Sequence, residues 1–345
     1  MSSPFKLCIL RLSAIGDVCH AAAMVNAIQR HRPDIEITWI IGKIEYALLA
    51  GMPNVRFVIY DKKGGRASKD SLKQAIGDIE FDALFVMQVA LRANVVSRMI
   101  RAKKRVGFDW HRSKEGHWLF TNTRIAPRKY AHVLEGFMGF AESLGVPPLE
   151  KPQWNIPIPD DDRLWVDEHL NGLDEYVVIS PAASKAERNW LADRYAKIVD
   201  YIHREGLAVV ICGGPGDLDQ QITSDIMSHT SNVALNLVGE TSLKQMLAVL
   251  SKARMVIAPD TGPAHMATTQ GVPVIGLYAH SNPRRTGPYL SLHTTVSMYD
   301  DIIQTQKGKD WRKLPWGVRA KGGDLMSQVS VQSVKSQIQH ILHNI

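Results

Sequence analysis

The sequence predicts an α/β protein of two Rossmann-like domains, each a parallel sheet covered by helices, facing each other. Three observations predict it. Short, almost wholly apolar segments such as DALFVMQ (82–88) and RMVIAPD (254–260) read as strands buried on both faces. Stretches with helical spacing, each about 10–15 residues long, separate them. The alternation runs twice, interrupted by GVPPLEKPQWNIPIP (145–159), with five prolines in fifteen residues. Proline disfavours helix at the residue before it and cannot serve a central strand, so this stretch reads as an interdomain linker. The domains fall at 1–150 and 160–324.

In the first half, FKLCILRL (5–12) is a strand and LSAIGD the turn after it. A helix runs through AAAMVNAIQRH and ends near Pro33. IEITWII (35–41), RFVIY (55–59) and DALFVMQ (82–88) are the next strands, a helix covers 92–101, and KRVGFD (104–109) is the last short strand. After the linker come YVVIS (176–180), AVVICGG (208–214), VALNLVG (233–239), RMVIAPD (254–260) and VPVIGLY (272–278). Helices are predicted between them at 190–205, 217–229, 242–252 and 263–270, with a final one over 325–343.

The composition is that of an ordinary globular chain: 345 residues, 45% hydrophobic and 22% charged. No apolar run approaches the roughly 18 residues of a membrane span. The N-terminus has a short apolar stretch closed by Arg11 and no small-residue cleavage site, which is not the pattern of a secretory signal. Three cysteines without a CxxC fit reduced thiols in the cytoplasm and argue against a disulfide scaffold or zinc site. The net charge of +7 is unevenly spread. Residues 1–150 carry 22 basic and 14 acidic side chains, whereas 151–345 carry 19 and 20. Residues 98–129 alone hold ten basic against two acidic. A basic half points to an anionic partner: nucleic acid, a phosphorylated or carboxylated substrate, or an anionic membrane surface. The stretch has no helix-turn-helix, RRM, KH or zinc-finger signature, although Trp110, His111, Trp118 and Phe120 interleave with its charges.

Four turns carry chemistry. Ser13-Ala14-Ile15-Gly16-Asp17 joins the first strand to the first helix, where Asp17 reads either as a helix cap or as a general base facing a crevice. His20 reads as a satisfied polar residue of that helix. Asp260-Thr261-Gly262-Pro263-Ala264-His265 is a strand end followed by a helix start, an arrangement of hydroxyl and free N–H groups suited to an anion. Cys212-Gly213-Gly214-Pro215-Gly216-Asp217 is a glycine-rich turn in which Asp217 reads as a ribose contact or a plain cap. It lacks GxGxxG spacing, which disfavours an NAD dehydrogenase. Ser184-Lys185-Ala186-Glu187-Arg188 offers a hydroxyl and two cations for phosphate.

LSAIGDVCHAAAMVNAI, ASKAERNW, GGPGD and above all DTGPAHMATTQGVPVIGLY resemble, in order and spacing, the bacterial heptosyltransferases of glycosyltransferase family 9. The resemblance covers roughly 5–290. It implies a GT-B fold with a cleft between the domains, a C-terminal helix that rejoins the N-terminal domain, and inverting transfer from ADP-heptose to Kdo of a Kdo–lipid A acceptor. It implies no metal and no resident cofactor. Asp17 matches the family's base. Asp260, Thr261, Gly262 and His265 match the donor motif, and Arg188, with Lys185 as competitor and Ser184 beside it, should meet the donor phosphates. Asp217 matches a ribose contact. The basic N-terminal half suits a phosphorylated, carboxylated acceptor, with Arg112, Lys114, Arg124 and Arg128 in the loop 111–128 as its expected contacts. Such an enzyme works at the cytoplasmic face of the inner membrane. Another nucleotide sugar on the same fold, or a basic nucleic-acid-binding protein, are the alternatives. The tract 304–325, with LPWGVRAKGGDLM, departs from the family pattern.

Overall fold

Phe5–Leu10 (β1) sets four consecutive buried residues, Leu7 to Leu10, in the middle of a parallel sheet. A strand covered on both faces has no polar face to alternate with, and its apolar run follows from that. The computed structural model describes residues 4–148 and 151–344. They form two units dividing between Pro157 and Ile158.

The first unit continues with α1 (Ile15–His31), β2 (Ile35–Ile41), α2 (Lys43–Leu49), β3 (Val55–Ile59) and α3 (Gly65–Ile76). Then come β4 (Glu80–Val86), α4 (Leu91–Ser97), β5 (Arg101–Gly107), β6 (Thr123–Arg124) and α5 (Val133–Glu142). The strand order is β3-β2-β1-β4-β5-β6, all parallel. The second unit holds α6 (Asp160–His169), β7 (Tyr176–Ile179), α7 (Ala192–Arg204), β8 (Ala208–Ile211), α8 (Asp217–His229), β9 (Leu235–Asn236) and α9 (Leu243–Lys252). It ends with β10 (Met255–Pro259), α10 (Gly262–Thr269), β11 (Val274–Tyr278), α11 (Pro283–Thr286), β12 (Val296–Ser297), α12 (Tyr299–Lys307) and α13 (Val331–Asn344). Its order, β9-β8-β7-β10-β11-β12, repeats that of the first. Both are the Rossmann order.

Two expectations change. The strand expected at 104–109 begins at Arg101 and is not the last, because β6 pairs beyond it. Its charged residues disguise it: Lys103 reaches Asp82 at 2.8 Å, and Arg105 turns inward to the carbonyls of Ser97, Ile100 and Phe120 at 2.7–3.0 Å. The proline-rich stretch ends at Pro159, the N-cap of α6. The linker is tied back onto α1 by Trp154 Nε1, which donates to the Cys19 carbonyl at 2.8 Å. The C-terminal helix, expected to join the first domain, packs on α7 of the second unit. Trp190 Nε1 and Arg194 Nη1 both donate to the Val329 carbonyl just before α13, at 3.0 and 2.6 Å, and anchor it there.

Between β5 and β6 a one-turn helix at His117–Phe120 buries His117 completely. Its Nε2 accepts from the Phe108 amide at 3.3 Å, so Nδ1 carries the proton and donates to Asn94 Oδ1 at 2.8 Å. Burial pushes its pKa down to about 4. A histidine depressed on folding binds its proton in the unfolded chain first, so its stabilising contribution is present above pH 6.5 and is lost as pH falls towards 4. Between pH 7 and pH 5 the wild type should lose about 2 kcal/mol more than His117→Asn, the size this shift implies. Urea unfolding of both proteins at the two pH values measures it. Equal losses would remove His117 from the acid sensitivity of the fold.

Candidate active site

A parallel sheet of this order leaves its first strand, builds outward, then returns to that strand's other side. The turns leaving β1 and β4 diverge, as do those leaving β7 and β10, and such crevices at the carboxyl ends of strands are where ligands bind. The sequence places its polar turns there.

In the first unit the turn after β1 carries Arg11 and Asp17. Ala14, not Asp17, is the N-cap of α1; Asp17 is the third helical residue. Ala14 has no side-chain oxygen, so the Asp17 carboxylate reaches back to accept the Ala14 amide at 3.3 Å. It also pairs with Arg11 Nη2. Arg11 is held from below by its own bond to the Met87 carbonyl, after β4, and by the Phe137 ring. The carboxylate is one-third exposed, so it is anchored on one side and open on the other. His20 is buried one turn on, edge to face with His132 at 5.1 Å.

The four expected acceptor contacts separate into two kinds. Arg112 pairs with buried Asp109, and its guanidinium lies where Gly136 of α5 leaves no room for a side chain. Arg128 grips both Glu142 oxygens at 2.6 Å and the Glu135 carbonyl at 3.3 Å. These two fasten the loop to α5. Lys114 is exposed, and exposed Arg124 lies 3.9 Å above the Trp110 ring.

In the second unit Asp260 follows β10 and is buried. Ser281 Oγ donates to its Oδ2 at 2.7 Å and Thr286 Oγ1 at 3.4 Å. Arg188, from the turn after β7, lies 3.5 Å from Oδ2 and donates to the Asp260 carbonyl at 3.0 Å. His265 Nε2 stands 3.9 Å from Oδ1. Burial alone would raise the carboxyl pKa; His265, the Arg188 charge and Ser281 outweigh it and push it down to about 2. Thr261 is the N-cap of α10, and its hydroxyl donates to the Ala182 carbonyl at 3.3 Å. Gly262 begins the helix, presenting its first amides. Arg188, Asp260, Thr261, Gly262 and His265 therefore come together. Ser184 and Lys185 are exposed on the same turn. Asp217 is the exposed first residue of α8, while Asp219 is taken up by the Gly214 amide at 2.8 Å.

Sequence reading missed part of this site. The Ala320 amide donates to the His280 carbonyl at 2.9 Å, and the Val318 carbonyl accepts from Tyr299 Oη at 2.9 Å. The tract 304–325 is thereby laid over the end of β11, and Trp316 and Arg319 line a small cavity with Asp260, Ser281, Arg285 and Thr286. His280 beside it is 7% exposed, and neither ring nitrogen has a partner among the described residues. Burial and the charges of Arg188 and Arg319 push its pKa down, against Glu187. The only signal in the sequence was the expectation that this tract departs from the family pattern. Among the described residues no group of three or more His, Cys, Asp or Glu is placed to hold a metal ion.

Two Rossmann-like units, each with polar side chains at its strand-order reversal, are the architecture of the GT-B fold. Solved structures share the fold. The glycosyltransferase family 9 protein from Veillonella parvula DSM 2008 has a TM-score of 0.81 at 21% identity, covering 99% of this chain and 98% of that one. E. coli heptosyltransferase WaaC with ADP has a TM-score of 0.73 at 18% identity, covering 98% of this chain and all of that one. The model of glycosyltransferase family 9 (heptosyltransferase) matches residues 70–313. The lipopolysaccharide core heptosyltransferase OpsX of Haemophilus influenzae is 44% identical over 339 residues, 98% of this chain and 97% of that protein. The chain belongs to glycosyltransferase family 9, the heptosyltransferases.

The geometry ranks the two cations of the β7 turn. Arg188→Ala strands a buried carboxylate and should destabilise the protein by about 3 kcal/mol, at the lower end for breaking a buried pair. Lys185→Ala should stay within about 0.5 kcal/mol, as exposed substitutions do. Denaturant unfolding of the two variants checks it; equal losses would remove Arg188 as the counter-ion of Asp260.

Proposed function

We propose that this enzyme transfers heptose from ADP-heptose to Kdo of the lipopolysaccharide inner core, on a Kdo–lipid A acceptor. The observation that carries this is the 44% identity, over nearly its whole length, to a protein named as a lipopolysaccharide core heptosyltransferase. The related WaaC is described with ADP and with ADP-2-deoxy-2-fluoro heptose, which supports the donor.

In this reading the donor binds the second unit. Arg188, Lys185, Ser184 and the first amides of α10 with Thr261, Gly262 and His265 meet the diphosphate. Asp260 orients Arg188 and His265, and Asp217 takes a ribose hydroxyl. Cationic side chains rather than a metal ion face the charge that grows as ADP leaves, and no resident cofactor takes part. The acceptor oxygen attacks the anomeric carbon as the bond from that carbon to the phosphate oxygen breaks, with inversion. Asp17 takes the hydroxyl proton. The support for Asp17 is its position at the crevice after β1, with Arg11 and the Ala14 amide fixing one side and solvent on the other. The exposed cations Lys114 and Arg124 meet the anionic acceptor, whereas Arg112 and Arg128 hold the loop that carries them. The acceptor is a membrane lipid, so the enzyme works peripherally at the cytoplasmic face of the inner membrane. No helix among the described residues is long and apolar enough to cross a membrane.

Asp17→Asn keeps the shape and removes the base. It should lower kcat by about 10²–10⁴ while ADP affinity stays unchanged. Product mass from ADP-heptose and a defined Kdo–lipid A acceptor reads the reaction, and calorimetry reads the ADP. Near-wild-type turnover would return Asp17 to a purely structural role, and no product from the wild type would overturn the substrates. Arg188→Ala should weaken ADP binding more than Lys185→Ala; the reverse order would exchange their roles.

A further inference from the structure

The basic stretch 98–129 contains more cations than the fold uses. Arg101 pairs with Asp78, Lys103 with Asp82, Arg112 with Asp109 and Arg128 with Glu142, while Arg105 is consumed by backbone carbonyls. Arg98, Lys104, Lys114, Arg124 and Lys129 are left without an acidic partner among the described residues, and Arg98, Lys114 and Arg124 belong to one face. That face is formed by the exposed aromatic side chains of the turn between β5 and β6. Trp110 is 60% exposed, Trp118 46% and Leu119 57%. The two indole rings are 6.0 Å apart, Arg124 covers Trp110, and Arg98 lies 5.2 Å from the Phe120 ring next to Leu119. α4 packs against the same turn, with Glu115 accepting the Leu91 amide at 2.7 Å. It extends the apolar face with Leu91 and Val95, about half exposed. Nothing in the first unit's core requires these side chains to stand in water, and contiguous exposed apolar surface rimmed by charge marks an interaction site.

We infer that this face, Trp110, Trp118 and Leu119 with Arg98, Lys114 and Arg124 around them, seats the enzyme on an anionic lipid bilayer. Tryptophan is the side chain that settles at the boundary between headgroups and acyl chains. Leucine and valine add buried area there, and unpaired cations meet anionic headgroups. A single-stranded nucleic acid fits less well. The rings meet at 45°, one indole face is already covered by Arg124, and the rest of the patch is aliphatic. Successive bases need open, parallel aromatic faces. The inference rests on the proposed acceptor in explaining why the enzyme should be at a membrane, and it gives Lys114 and Arg124, proposed above as acceptor contacts, the surrounding headgroups as well.

The test is flotation of the full chain with vesicles that contain no acceptor, of phosphatidylcholine alone or with about one-third phosphatidylglycerol, at low and high salt. The wild type should float with the anionic vesicles, and more strongly at low salt. Trp110→Ser/Trp118→Ser/Leu119→Ser should reduce partitioning at least about tenfold, and Trp118→Ser alone should reduce it measurably. Arg124→Gln should reduce it about fivefold at low salt and little at high salt. Turnover of the triple variant on an acceptor stripped of its acyl chains should equal that of the wild type. Equal flotation of wild type and triple variant would overturn the inference. So would an equal loss of turnover on the deacylated acceptor, which would make the patch an acceptor subsite. Tight oligonucleotide binding that the triple variant loses, with no flotation, would make it a nucleic-acid surface. A wild type that floats but transfers no heptose would overturn the proposed reaction and leave this inference standing.

Discussion

The return of the chain to the first strand's free side is the constraint on which the rest depends. In both sheets the fourth strand pairs beside the first, so two βα turns must part company at one point on the carboxyl edge. Backbone amides there are not used up by neighbouring strands, and helix N-termini converge. Asp17 occupies that point in one unit, Asp260 and Arg188 in the other. Because β1, β4, β7 and β10 are central and buried on both faces, the turns that leave them start from rigid positions. A side chain placed one or two residues beyond such a strand inherits that rigidity. The polar residues of both crevices accordingly sit on the turns and first helical turns at that edge: Asp17 in the first turn of α1, Arg188 in the turn after β7, Asp260 directly after β10 and His265 at the start of α10.

The buried carboxylate of Asp260 shows how the site is held. An isolated charge there would be costly. It persists because four neighbours from three segments, Arg188, His265, Ser281 and Thr286, are directed at it. The same network points Arg188 towards the crevice and leaves its Nε without a partner among the described residues. A ligand anion entering here meets a cation already oriented by a carboxylate, and little ordering remains to be done. Asp17 and Arg11 form the corresponding pair in the first unit, more open to water and anchored through Met87 and Phe137 to β4 and α5.

Much of this was legible in the sequence, and the gaps have physical causes. Central strands announce themselves because burial on both faces leaves only apolar residues, as in β10. α3 was silent because only Ser68, Leu72 and Ile76 are buried, too narrow a stripe to stand out in GRASKDSLKQAI. β6 and β12, two residues each, carry no period at all. The turn residues of the site were legible since strand end, glycine and helix start are local patterns. The partners of those residues were not. Which arginine meets Asp260, and which of Asp217 and Asp219 is occupied by the glycine turn, depend on contacts far apart in the chain or on the direction of a loop. The same holds for the cations of 98–129: composition counted them together, and only the fold separates those spent on Asp78, Asp82, Asp109 and Glu142 from those left over.

The tract 304–325 carries this one step further. It has no strand or long helix, and in the sequence it was expected to depart from the family pattern. Yet Tyr299, Gln306 and His280 supply its backbone with partners, at Val318, Lys321 and Ala320, so that its path is fixed rather than draped. The result is a wall that brings Trp316 and Arg319 to the edge of Asp260, while the ring nitrogens of buried His280 have no partner among the described residues. Burying an imidazole with both nitrogens unmatched opposes folding, and a fold keeps such a group where something else completes it. His280 lies among Arg188, Arg319 and Lys185, where the field favours an anion and disfavours its own protonation. A diphosphate in that place would satisfy the imidazole and balance the cations at once. The tract and the histidine with unpartnered ring nitrogens are thus one structural feature beside Asp260, built by a segment that the strand and helix periodicities do not reveal.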